Sequence, residues 1–170
     1  MRLLIASMMG LAATLPMTAS ADAAGFATRD LVPFATTVSA ALGEGCQTVA
    51  DPQRVTIVCK SGLGPLVDVT IKRRESNDRI EQNIRSGKTG QPEVDALCKK
   101  INDQCTATML DVAPAVGWIG AQPQGRQALS TAVILRDGDQ LTVRALANDP
   151  EQARAYVDKT LAVVRPVIGQ

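Results

Sequence analysis

The chain has 170 residues with 18 basic and 17 acidic side chains, a formal net charge of +1, and no histidine. The missing histidine excludes serine–histidine and cysteine–histidine catalysis and most zinc and copper sites, so we expect neither a metal site nor a cofactor. The near-neutral charge and an aromatic content of 2% argue against nucleic acid as a partner.

The first 23 residues are typical of a secretory signal peptide. Arg2 precedes an apolar run over 3–15, and small residues then place cleavage sites after Ala21 or Ala23, of which we favour Ala23. The run is too short for a transmembrane segment, and no later run reaches that length. We therefore expect a soluble periplasmic or secreted protein whose mature chain, residues 24–170, forms a single domain.

The mature chain is predicted to begin with a helix over about 31–42 and a β-hairpin. The segment CQTVADPQRVTIVC, residues 46–59, has the pattern of two strands around a two-residue Pro-Gln turn. This turn places Cys46 opposite Cys59 at a position without ladder hydrogen bonds, where the backbones are close enough for a disulfide.

The other two cysteines, Cys98 and Cys105, lie in the last turns of a helix predicted over 91–102 and just after it. An even number of cysteines in an exported chain favours structural disulfides. Neither pair has the C-x-x-C spacing of redox and metal sites. We therefore predict a second bridge, Cys98–Cys105, that ties the end of this helix to the next strand.

Two features in the middle of the chain could bind an anion, and both have a simpler structural interpretation. SGLGPL, residues 61–66, lacks the lysine–serine pair of a phosphate-binding loop, so we favour a turn into a strand over 66–74. The KRR run that ends this strand could act with Arg79 and Arg85. Interleaved acidic residues, among them Glu81 four residues before Arg85, favour a solvated surface instead.

Asp68 and Asp111 are the candidates for a pair of carboxylates on one face of the sheet, where they could perform acid–base chemistry or bind a cation. Each follows or interrupts an apolar strand pattern. Their spacing in the sequence does not require them to meet, so we do not assign them a catalytic role.

The stretch AVGWIGAQPQGRQ, residues 115–127, holds the single tryptophan and supplies the candidate binding residues, Trp118 and Arg126. One interpretation is an exposed loop over 113–127 that presents the ring to a partner. The other is a short strand, VGWIG, with Trp118 and Ile119 on opposite sides and glycines that make room for a neighbouring strand or helix. We favour the strand for the ring and an exposed loop for AQPQGRQ.

Residues 130–168 have the strongest local pattern. Two apolar strands flank Asp137-Gly138, a hairpin dipeptide, and Asp149 with Pro150 begins a final helix. The segment TAVILRDGDQLTVRALANDPEQARAYVDKTLAVVRPVI resembles the last hairpin and helix of PsbP-like extracytoplasmic domains. That resemblance implies a terminal helix lying across an antiparallel sheet and carries no functional residue. The family usually has more aromatic residues and no internal helix pair.

The predicted order is α-β-β-β-α-α-β-β-β-α, which indicates an α+β domain with a largely antiparallel sheet of about six strands and helices on one face. We expect an exported, non-catalytic binding or accessory protein, stabilised by two disulfides, whose partner is another protein or a small ligand. The alternatives are a secreted inhibitor or effector-like protein that uses the 113–127 loop, and a periplasmic enzyme that works without histidine. The sequence assigns no oligomeric state.

Overall fold

The computed structural model describes residues 25–59, 65–75 and 79–170. A short 3-10 helix, Val32–Phe34, precedes the first α-helix. The α-helices and strands in these ranges are α1 Ala35–Leu42, β1 Cys46–Asp51, β2 Arg54–Cys59, β3 Leu66–Arg73, α2 Ile80–Arg85, α3 Gln91–Ile101, β4 Thr106–Leu110, β5 Val116–Gln124, β6 Gln127–Arg136, β7 Asp139–Ala147 and α4 Pro150–Ile168. The predicted signal peptide, with its cleavage sites, and residues 61–64 of the predicted turn lie outside the described residues.

The strands form one antiparallel sheet in the order β1-β2-β3-β7-β6-β5-β4. The α+β class and the single domain are confirmed. The sheet has seven strands rather than six, because the tryptophan-containing stretch forms the full strand β5. Within the described ranges, none of the helices combines the length and apolarity of a membrane span.

Both predicted disulfides are present. Cys46 pairs with Cys59 in the register that the Pro-Gln turn predicts, with their Cα atoms 3.9 Å apart. Cys98 and Cys105 join the end of α3 to the start of β4, with a Cα–Cα distance of 5.4 Å. Each bridge therefore crosslinks elements that are already neighbours in the chain.

The main core lies between α1, α4 and one face of the sheet, which we call the closed face. Side chains from alternate positions of the central strands point into it and are fully or almost fully buried. They are mainly aliphatic and include Ile57, Val67, Val69, Ile134, Leu141 and Val143. Asp149 caps α4, since its Oδ1 accepts the N–H of Gln152 at 2.8 Å.

A buried carboxylate, Asp139, fixes the N-terminal segment at one end of the closed face. It accepts hydrogen bonds from the N–H of Phe26 and the guanidinium groups of Arg29 and Arg73, at 3.0, 3.0 and 3.1 Å. Burial alone would raise the pKa of Asp139, but the three donors outweigh it and hold this pKa below its ordinary value. The ionised form is therefore the one that the fold stabilises.

A second buried carboxylate, Glu81 of α2, holds the turn between β6 and β7. The N–H groups of Asp137 and Gly138 donate to it at 2.7 and 3.2 Å, and Arg85 donates at 2.9 Å. Burial opposes ionisation here too, but these donors together lower the pKa of Glu81. The predicted Glu81–Arg85 pair is confirmed, and its carboxylate also anchors α2 to the sheet.

The prediction that helices cover one face holds for α1 and α4 but not for α3. Val94 and Cys98 of α3 pack with Ala107 of β4 and the Trp118 ring in a second, smaller core. Ile119, the next residue after the ring, is buried in the main core. Because successive residues of a strand point to opposite faces, α3 covers the other face of the sheet. We call this second side the open face.

Candidate functional site

The open face is only partly covered. α3 lies over β4 and β5 at one side of the sheet, and the central strands β6 and β7 continue beyond it. Their open-face positions form aligned pairs across the two strands: Leu129 with Leu146, Thr131 with Arg144, Val133 with Thr142, and Leu135 with Gln140. This face mixes apolar and polar side chains, whereas the closed face is almost purely aliphatic.

Helix α3 is held in place through the edge strand β4. The Gln91 side chain donates to the carbonyl oxygen of Ala107 and accepts the N–H of Met109 at 2.9 Å. Asp95 Oδ1 accepts the N–H of Ala107 at 3.1 Å. These contacts satisfy backbone groups that an edge strand otherwise exposes. They also fix the helix as a rigid wall.

A glycine lets this wall approach the sheet. A Cβ atom at Gly120 would lie 3.1 Å from Cys98 Sγ, tighter than most side-chain contacts. At Gly117, on the closed face, a Cβ would lie 2.6 Å from the carbonyl oxygen of Val133. The interpretation that the glycines around the tryptophan make room for a neighbouring strand and helix is therefore confirmed.

Between α3 and the strands runs a groove with a volume of about 660 Å³. Its floor includes Trp118, Val133 and Leu135, and one wall consists of Leu97 and Ile101 of α3. These two wall residues are 48% and 78% exposed, although they are large and apolar. Apolar surfaces therefore face each other across open space, and the volume is within the range of small-molecule sites.

The polar lining of the groove is cationic or neutral. Arg144, Thr131 and the amides of Gln122 and Gln140 contribute along the strands, and Arg74 lies at one end. None of the described lining residues is acidic. Arg144 makes no hydrogen bond or ion pair with any described residue, whereas Arg74 is engaged in an interaction of its own.

The two sequence-predicted binding residues are separated by the structure. Trp118 is partly buried on the groove floor. Arg126 is exposed in the tight turn between β5 and β6 and does not line the groove. The favoured strand at VGWIG is confirmed as part of β5. The alternative loop over 113–127 and the favoured loop over AQPQGRQ are both wrong, because β5 continues to Gln124 and β6 begins at Gln127.

The carboxylate pair is not formed. Asp68 lies on β3, where it accepts from Arg54 and Thr56, both at 2.7 Å. Asp111 follows β4, which the strands β7, β6 and β5 separate from β3. In the described part of the chain, no group of three carboxylate or cysteine side chains is arranged to hold a metal ion.

The three residues of the KRR run lie in different surroundings. Lys72 is exposed on the open face, Arg73 binds Asp139 at one end of the closed face, and Arg74 lines the groove. Arg85 is committed to Glu81 and to the carbonyl oxygen of Pro114 at 2.9 Å. A continuous anion-binding patch is therefore not present among these residues.

Sequence reasoning missed most of the groove. Val94, Leu97, Cys98 and Ile101 have the spacing of one helix face, but in α3 only Val94 and Cys98 are buried. The signal was the surplus of apolar positions. On β6, Val133 and Leu135 point to one face of the sheet and the buried Ile134 points to the other, and all three are apolar. Apolar side chains on both faces of a strand indicate that both faces are at least partly covered.

Comparisons with known proteins give a weak likeness of fold. No protein-family model matches the chain, and no curated protein matches it. A similar solved structure is the solution structure of cyanobacterial PsbP (CyanoP) from Synechocystis sp. PCC 6803, with a TM-score of 0.44 and 14% identity over 71% of this chain and 81% of that one. This is the family that residues 130–168 resemble, and the likeness says nothing about function.

Proposed function

We propose that the chain is an exported, non-catalytic binding protein and that the groove on the open face is its ligand site. Export is supported by the predicted signal peptide over residues 1–23 and by the two disulfides, which persist in oxidising compartments. The inhibitor hypothesis loses the loop on which it depended, so we do not retain it.

The exposure of Leu97 and Ile101 above an apolar floor is the observation that carries the proposal. Leaving large apolar side chains in water is unfavourable, and a ligand that fills the groove would remove them from it. The wall is also preorganised, since the Cys98–Cys105 bridge and the hydrogen bonds to β4 fix α3. A preformed wall lowers the ordering cost of binding.

The chemistry of the lining favours binding over catalysis. Its described residues offer aliphatic and aromatic groups, two guanidinium groups, two amides and the hydroxyl of Thr131. Neither a carboxylate nor a free thiol lies among them to act as a base or nucleophile. Such a set can orient a ligand but supplies no group for proton transfer near neutral pH.

Binding of a neutral apolar fluorophore, N-phenylnaphthylamine, tests this proposal. The oxidised protein should bind it saturably with an increase in probe fluorescence. The double variant Leu97→Gln/Ile101→Gln should weaken binding by about tenfold, because it removes the apolar wall. Both side chains are exposed, so the fold should persist.

The matched control is Val49→Thr/Val58→Thr. These residues lie on the same face of the sheet, outside the groove, and are 75% and 44% exposed. The control should bind the probe like the unmodified protein. Equal affinity of the two double variants would contradict a site in the groove.

A further inference from the structure

We propose that the ligand of the groove is an amphiphile with an apolar chain and one anionic head group, held at Arg144. This inference rests on the proposed function, because it names the ligand class of the same groove. Arg144 is the described lining cation without a partner, and the described lining has no acidic side chain to compete with a ligand anion.

The acidic residue paired with Arg144 on the neighbouring strand is already engaged. Asp68 pairs with Arg144 in the β3–β7 register. Its Oδ1 instead accepts hydrogen bonds from Arg54 and from the Thr56 hydroxyl, on the β2 side. Among the described residues, the guanidinium group of Arg144 therefore has no partner and can bind a ligand group. A carboxylate is a good match, because arginine can donate two parallel hydrogen bonds to it.

The positions around Arg144 give the head group and the chain separate places. Thr131 lies directly opposite Arg144 on β6, so the row is polar at these two strands. Gly120 lies opposite Thr131 on β5, where α3 covers the sheet. The next rows along the strands place Val133, Trp118 and Leu135 on the floor. From Arg144 to Gln140 the strand spans about 13 Å, which is room for an extended alkyl chain.

Arg74 supports the same charge preference but is not assigned to the head group. It lies where β3 has ended, beyond the row of Gln140 and Leu135. It already takes part in an interaction of its own. The head group is therefore assigned to Arg144.

Competition against the neutral fluorophore with three compounds of equal chain length tests the ligand class. Decanoate, decanol and decylamine are added below their aggregation limits at about pH 7, where the acid and the amine are charged. Decanoate should displace the probe at a concentration about fivefold lower than decanol, because Arg144 is exposed and its ion pair is partly screened. Decylamine should be the weakest competitor.

Three variants test whether Arg144 causes the preference for decanoate. Arg144→Gln should reduce the advantage of decanoate over decanol to about onefold, while decanol displaces the probe as before. Arg144→Lys should keep most of the advantage, because it keeps the charge. Arg126→Gln, which removes an exposed arginine outside the groove, should leave all three compounds unchanged.

The failures of the two proposals differ. Probe binding that the Leu97/Ile101 variant weakens, combined with equal displacement by decanoate and decanol, would overturn the anionic ligand and leave the groove as the site. A preference for decanoate that survives Arg144→Gln would overturn the assignment to Arg144. Probe binding that the Leu97/Ile101 variant does not weaken would overturn the site and the ligand class together.

Discussion

The two faces of the sheet come from the same strands, but they differ in what covers them. On β6, Ile134 points into the closed face and is fully buried under α4, while its neighbour Val133 points into the groove and is only partly buried. The 19-residue α4 covers the central strands, whereas the 11-residue α3 is drawn to the edge by its bonds to β4. Leu129 and Val133, on the open face of β6, are therefore only partly buried, although Leu135 on the same face is fully buried.

This difference separates stability from function within one sheet. On the central strands, closed-face side chains are mostly aliphatic and buried, as expected where close packing stabilises the fold. Open-face side chains combine apolar surface with an unpaired arginine and two amides, which packing alone does not require. Substitutions on the closed face should thus lower the free energy of unfolding, and those on the open face should change ligand binding.

The largest expected difference between the two faces is in the free energy of unfolding, and two leucines on adjacent strands measure it. Leu141→Ala, on the closed face, should lower the free energy of unfolding by about 3 kcal/mol, because it leaves a cavity in a fully buried core. Leu129→Ala, on the open face and partly buried, should cost about 1 kcal/mol and weaken probe binding. Urea denaturation measures both, and equal losses would remove the distinction between the faces.

The two disulfides should differ in the same way: one should affect stability alone, and the other should affect both stability and ligand binding. Replacing Cys46 and Cys59 with alanine opens a loop with a sequence separation of 13, which should cost about 3 kcal/mol and leave probe affinity unchanged. Replacing Cys98 and Cys105 opens a separation of 7 and should cost about 2 kcal/mol. Because this second bridge fixes the groove wall, its loss should also weaken probe binding by about threefold. The same affinity in both variants would contradict that role.

Acid should lower the stability of the fold by protonating Asp139 at one end of the closed face. Its pKa is lowered by folding, so its contribution to stability is present above about pH 4 and is lost as the pH falls below that value. Asp139→Asn should lower the free energy of unfolding by about 2 kcal/mol at pH 7 and reduce its further loss on acidification. Urea denaturation over a range of pH measures this change.

The control for Asp139 is Asp103→Asn, which changes an exposed carboxylate without a hydrogen bond to any described residue. Its stability curve against pH should overlie that of the unmodified protein. An Asp139→Asn curve that runs parallel to the unmodified one at every pH would show that Asp139 does not titrate with folding.

Local chemistry made the hairpins and helix ends predictable. The Pro-Gln turn determined the Cys46–Cys59 register, and Asp137-Gly138 adopts the positive φ angles, 50° and 84°, that this dipeptide favours. Each of these features depends on residues that are close in the sequence. The cap at Asp149 was predictable for the same reason.

The length of β5 was not predictable, because its last residues have loop-like composition. Pro123 lacks the N–H that an interior strand needs. β4 reaches only Ala121 on β5, so Pro123 lies where β5 has become an edge strand and the missing donor costs little. The groove escaped prediction for a related reason, since the position of α3 depends on long-range bonds from Gln91 and Asp95 to β4.

The solvent exposure of Trp118 tests the role of the groove most directly, because this is the single tryptophan of the chain and it lies on the groove floor. Acrylamide quenching of its fluorescence is measured with and without saturating decanol, a ligand without charge or colour. A ligand in the groove should shield the ring, so quenching should decrease and the emission should shift to shorter wavelength. Unchanged quenching at a decanol concentration that displaces the probe would contradict a ligand site in the groove.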